Sequence, residues 1–128
     1  MTTKIESNMN IGDTYSVKHI ARPEESALAI GSGGLQVYST PSMIALMEKS
    51  AYSFALENGI QSVGTKVCIN HLRACLPGTE LTAECRLVEM EGRRMTFEIS
   101  VADKEGIIGE GKHERFSIDP ERFMARLA

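Results

Sequence analysis

Three polar side chains stand where the surrounding sequence is apolar: Thr40, Glu48 and His71. Glu48 falls on the apolar side of an amphipathic stretch that begins at Thr40-Pro41, and His71 closes a run rich in β-branched residues. A carboxylate and an imidazole in such places are costly unless they are partnered or used. With a hydroxyl they suit acyl-group chemistry, which needs an oxygen to attack or to activate water, a ring to take and return protons, and donors for the charge that develops on a carbonyl oxygen. Singly, each has a plainer reading: Thr40 as a helix cap, His71 as a structurally bonded strand residue, Glu48 as the partner of an arginine. The site reading rests on the three together.

The elements that must position them are legible from periodicity. Thr40-Pro41 predicts a helix start, with Thr40 at the N-cap and Pro41 at the first helical position. The helix is expected to run to about Glu57 or Asn58 and to stop at Gly59. At 100° per residue Ile44, Met47, Ala51, Phe54 and Ala55 share one arc with Glu48, while Lys49, Ser53 and Glu57 lie opposite. A first strand is expected at about 14–21, after a polar, ragged lead-in. From Arg22 to Val37, Pro23 and the cluster Gly31-Ser32-Gly33-Gly34 predict a mobile connection or lid.

Beyond the helix the pattern switches to period two. Val63, Thr65, Val67, Ile69 and His71 alternate with Gly64, Lys66, Cys68 and Asn70, and a turn follows at Pro77-Gly78. Leu81, Ala83, Cys85 and Leu87 face one way in the next strand, then Met95, Phe97, Ile99 and Val101 repeat the pattern after a turn at Glu91-Gly92. A last strand, about 107–118, carries Gly109, Gly111 and His113 on one face. Interior strand glycines mark a close approach of other backbone, and a helix lying across the sheet would explain them. His113 is expected to be structural. Asp119-Pro120 predicts a short final helix with Phe123 and Leu127 as its apolar side.

Length and composition bound the rest. The chain of 128 residues is expected to form one domain, residues 1–128. A net charge of −3 argues against general nucleic-acid binding, which needs a basic field. No apolar run approaches the ~18 residues that span a bilayer, and Met1-Thr2-Thr3-Lys4 opens no signal sequence, so no membrane contact and a cytoplasmic location are expected. Cys68, Cys75 and Cys85 form no CxxC pair and are expected to be reduced, mostly buried thiols. Neither a metal nor a cofactor is expected.

The order is strand, connection, one long helix, then four antiparallel strands joined by tight turns, an α+β arrangement. Thr40 followed by Met43-Ile44-Ala45-Leu46-Met47-Glu48, Val63-Gly64-Thr65 leading to His71, Pro77-Gly78, Glu91-Gly92-Arg93-Arg94 and Gly109-Glu110-Gly111-Lys112-His113-Glu114-Arg115 together resemble the fluoroacetyl-CoA thioesterase family of the hotdog superfamily. The resemblance covers roughly residues 10–124. It implies the hotdog fold, one long central helix wrapped by a curved antiparallel sheet of about five strands. It also implies hydrolysis of a small acyl-CoA by Thr40, Glu48 and His71, with a Gly64 backbone N–H near the thioester oxygen and Arg115 as a substrate-binding residue. Glu48 would attack to form an anhydride or activate water directly; His71 would carry the proton and Thr40 would orient.

The chain departs from the resemblance in two places. Members that select fluoroacetyl-CoA cover the acyl pocket with a phenylalanine-bearing lid, but residues 22–39 contain only Leu28, Ile30, Leu35, Val37 and Tyr38 as large apolar groups. Pro41-Ser42 stand where members tend to have Gly-Phe. Both changes point to a different short or medium acyl group. Hotdog proteins generally complete their sheet and pocket by two-fold association, so a homodimer is expected, with Glu48 and His71 meeting in one subunit or across the interface. Two other classes stay open, an acyl-thioester hydratase or dehydratase and a non-catalytic acyl-CoA or small-ligand binding module. Release of free thiol from acyl-CoAs separates them from a thioesterase.

Overall fold

Alternating apolar and polar residues need a surface to pack on, and the long helix supplies it. The computed structural model describes residues 9–128; the first part of the polar lead-in, residues 1–8, lies outside the described residues. The helices are α1 (Ala27–Ile30), α2 (Thr40–Glu57) and α3 (Pro120–Ala125); the strands are β1 (Thr14–Ile20), β2 (Ser62–His71), β3 (Glu80–Glu91), β4 (Arg94–Asp103) and β5 (Gly106–Ser117). The strands form one antiparallel sheet in the order β1-β3-β4-β5-β2. The sheet wraps α2 in the hotdog arrangement, as expected.

The period-two strands behave as their sequences predict. Leu81, Ala83, Cys85 and Leu87 of β3 and Met95, Phe97, Ile99 and Val101 of β4 are all buried against α2. The helix answers with Met43, Leu46, Met47, Ala51, Phe54 and Ala55. Phe54 stacks on Tyr15 of β1 at 5.5 Å and meets Phe97 edge-on at 6.5 Å. Fully burying one such side chain is worth about 1.5–3 kcal/mol, so this layer dominates the fold's stability. Ile44 and Glu48 are only half-buried, and Glu48 reaches Gly64 of β2.

Several local expectations are corrected. Ser39, not Thr40, is the N-cap of α2: its hydroxyl accepts from the Ser42 N–H at 3.1 Å, and Thr40 is already inside the first turn. β2 does not pair with the strand that follows it. The stretch 72–79, with its turn at Gly78 (φ 95°), carries the chain across the sheet, so that β2 lies beside β5 and forms an outer edge. The segment from Arg22 to Val37, expected to be a mobile connection or lid, carries hydrogen bonds of its own. Ser26 caps α1, Ala27 N–H donates to the Val37 carbonyl, Leu28 N–H to that of Leu35, and His19 Nε2 lies 2.8 Å from Glu25 Oε1. Of the thiols only Cys85 is buried; Cys75 is partly covered and Cys68 exposed. Phe123 of α3 is half-buried, but Leu127 lies beyond the helix and is exposed.

The strand glycines have two different causes. A Cβ on Gly109 would sit 2.4 Å from Met43 Sδ, which is the helix contact expected. One on Gly111 would meet the Cys68 carbonyl oxygen at 2.1 Å and Ile69 Cα at 2.6 Å, so that glycine serves the tight approach of β2.

Candidate active site

Because Ser39 takes the capping role, the Thr40 hydroxyl is free for another partner. It finds His71: Thr40 Oγ1 and His71 Nδ1 are 2.7 Å apart, joining the first turn of α2 to the last residue of β2. The His71 ring is half-buried, and its Nε2 is shielded with no hydrogen-bond partner among the described residues. Burial pulls its pKa below the ordinary 6.5, with the Arg73 backbone opposing. A neutral ring beside a hydroxyl, with its second nitrogen unengaged, is equipped to move a proton.

Glu48 stands two turns further along α2, about 12 Å by helical rise. It faces a second cluster. A Cβ on Gly64 would lie 2.8 Å from Glu48 Oε2, 3.2 Å from Arg115 Nη1 and 3.2 Å from His113 Cε1, so these groups crowd one point above β2 and β5. No hydrogen bond or ion pair engages the Glu48 carboxylate among the described residues. Arg115 is 6% exposed; its Nε donates to Ser62 Oγ at 2.8 Å, its Nη2 to the Ser62 carbonyl at 3.1 Å, and its guanidinium lies 5.7 Å from the centre of the Tyr52 ring. His113 Nδ1 donates to the Lys66 carbonyl at 2.8 Å.

Burial, then the Arg115 charge, lowers the His113 pKa, although the Lys66 carbonyl and Glu48 oppose that. The Arg115 pKa is lowered by burial and supported by Glu48 and Tyr52. A guanidinium stays charged through such a shift.

The sequence-derived site therefore divides in two within one chain. Thr40 and His71 bond each other, whereas Glu48 shares a hydrogen bond with neither. Its neighbour Gly64 stands seven residues from His71, about 23 Å along β2. Gly64 is exposed at the strand edge, beside a break in register between Gly64 and Lys66. Arg115, expected to touch substrate, turns its guanidinium inward instead of offering it to solvent. Arg94 is engaged by Glu89, Glu91 and Glu114, while Arg93 and Lys112 are exposed. The members sequence reasoning missed are Ser62 and the coupling of His113 to Arg115. The only signal was their shared face on β5, two residues apart.

Among the described residues no group of His, Cys, Asp or Glu gathers to hold a metal, and no helix is long and apolar enough to cross a membrane.

Comparison with known proteins agrees with the fold. The model of the fluoroacetyl-CoA-specific thioesterase family matches residues 21–121. A fluoroacetyl-CoA thioesterase from Streptantibioticus cattleyicolor is 38% identical over 95 residues, 72% of this chain and 68% of that protein. A solved fluoroacetyl-CoA thioesterase structure superposes with a TM-score of 0.86 at 28% identity, covering 94% of this chain and 96% of its own. A thioesterase superfamily member from Thermus thermophilus shares the fold, with a TM-score of 0.83 at 24% identity over 92% of this chain and 90% of that one.

Proposed function

This chain belongs to the fluoroacetyl-CoA-specific thioesterase family, and on that premise we propose that it is an acyl-CoA thioesterase that hydrolyses a small or medium acyl thioester with Thr40, Glu48 and His71. The observation that carries the reading is the 2.7 Å contact between Thr40 Oγ1 and His71 Nδ1. A threonine relieved of capping by its neighbour and bonded to a desolvated imidazole has no evident structural need. The N-terminal turn of α2 favours negative charge nearby, as a thioester oxyanion would require.

The acid comes from a second copy of the chain. β2 is an edge strand of ten residues with Thr65, Lys66, Cys68 and Asn70 exposed, and an exposed edge of that length invites pairing. Antiparallel pairing of β2 with itself about its centre sets the Ser62–Gly64 end of one copy beside the Ile69–His71 end of the other. Glu48, held against Gly64, then faces the Thr40–His71 pair of the other copy, and each dimer has two such sites.

In the reaction Glu48 either attacks the thioester carbonyl, giving an anhydride that water opens, or removes a proton from water that attacks instead. CoA leaves as its thiolate; neutral His71 takes the proton released by the attacking water, directly or from Glu48, and returns it to the CoA sulfur, while Thr40 holds the ring. Products in both routes are the carboxylic acid and free CoA. The chain's lid segment bears Leu28, Ile30 and Leu35, all exposed, and no phenylalanine, which supports a non-fluorinated short or medium acyl group; the proposed site of action is the cytoplasm. A thiol-release panel across acyl chain lengths tests the proposal: release of CoA from one or more members supports it. Loss or gain of enoyl absorbance without thiol would overturn it in favour of a hydratase, and tight retention without turnover in favour of a binding module.

A further inference from the structure

His113 is a buried titratable group that the proposed chemistry leaves unused, and both of its ring nitrogens are engaged. The residue is 1% exposed. Nδ1 lies 2.8 Å from the Lys66 carbonyl, which can only accept, so Nδ1 carries the hydrogen. Nε2 is then a lone pair, and Arg115 Nη1 donates to it at 3.1 Å. Partners on both sides thus fix one tautomer.

A buried imidazole that merely filled space would be replaceable by an apolar side chain, at lower desolvation cost. Here it supplies an acceptor that an apolar residue lacks. The guanidinium is a planar fork with its donors in fixed directions. Ser62 holds Nε and Nη2, and His113 holds one side of Nη1, so the plane has no freedom to turn. The same Nη1 and Glu48 Oε2 crowd the space over Gly64, at 3.2 Å and 2.8 Å from where its Cβ would be. Burial keeps the positive charge from being screened, so small rotations of the fork change the field at the carboxylate.

We propose that His113 is a positioning residue of the hydrolytic site: as a hydrogen-bond acceptor it locks the Arg115 guanidinium beneath Gly64, with its charge directed at the Glu48 carboxylate. This rests on the assignment of Glu48 to hydrolysis.

The test uses the full chain, with acetyl-CoA and butyryl-CoA as probes and steady-state thiol release as the readout. His113→Leu is expected to lower kcat by about 10–100-fold while KM stays within about threefold, because the acid is misdirected and the substrate is not. His113→Gln offers an oxygen near the Nε2 position and is expected to return kcat to within about fivefold of wild type. In a Glu48→Gln background His113→Leu should cost less than about twofold more, since its route runs through that carboxylate. Folding of each variant is checked by circular dichroism and melting temperature. If His113→Leu does not fold, Arg115→Lys decides, a lysine being unable to fill the fork; a kcat loss of similar size is expected, and wild-type kcat would overturn the proposal. Wild-type kcat in folded His113→Leu, equal damage in His113→Gln, or full additivity with Glu48→Gln would overturn it too. Wild-type kcat in Glu48→Gln alone would overturn the functional reading beneath it.

Discussion

Thr40 Oγ1 bonds His71 Nδ1 because Ser39 relieves it of the capping role: one hydroxyl closes the helix and the next reaches across to β2. Adjacent residues of nearly identical chemistry are thereby divided between the helix end and the histidine of β2.

That division is measurable. Ser39→Ala is expected to cost about 1 kcal/mol of stability through the lost cap, with a small effect on turnover. Thr40→Val is expected to do the reverse, lowering kcat by about 10–100-fold with little change in stability. Denaturant midpoints and thiol-release rates on the two variants check the contrast.

Gly64 is the second position where the two effects separate. An added Cβ would stand 2.8 Å from Glu48 Oε2, the mobile end of a side chain, and 3.2 Å from Arg115 Nη1 and His113 Cε1, which need to yield by only a few tenths of an ångström, so the carboxylate is the group that loses its place. Gly64→Ala is expected to lower kcat by about 100-fold, the usual cost of a misplacement near 1 Å. Its melting temperature should fall by only a few degrees. Unchanged kcat would contradict the placement of the acid.

The pH dependence follows from the two histidines that burial holds below their usual 6.5. Between the lowered folded value and the unfolded one, the unfolded chain binds more protons, so stability is whole above about pH 6.5 and is lost as pH falls through the folded values. Denaturant melts from pH 8 to pH 5 should show this decline, and His113→Leu should remove part of it. Turnover should keep its full rate below pH 6.5 until His71 itself protonates. An acid limb centred above 6.5 would contradict the burial of His71.

Much of the fold was legible because it is written in local pattern. The alternation in β3 and β4, the arc on α2 and the glycine turns each need only a few neighbouring residues. The strand order was not, since pairing Ser62–Ser117 and His71–Gly109 joins distant stretches, and nothing in either says which edge β2 will take. Ser39 and Thr40 are comparable caps on propensity alone, so neither the cap nor the contact with His71 can be assigned from that dipeptide. Arg115 was expected to touch substrate, since buried charges are rare without partners; its partners, Ser62 and His113, are visible only once β2 and β5 lie side by side. Glu48 was legible as an oddity on an apolar face, but its separation from His71 within one chain was not.

One site assembled from two copies should be rebuilt when two inactive variants are mixed. Glu48→Gln and His71→Ala are each expected to lose acyl-CoA hydrolysis by orders of magnitude as separate proteins while remaining folded dimers. Unfolded together and refolded at equal concentration, half of the dimers pair one of each, and one of their two sites draws both intact residues, so about a quarter of wild-type activity should return. A mixture as inactive as its components would contradict the shared site, and near wild-type activity in either variant alone would contradict the assignment of that residue.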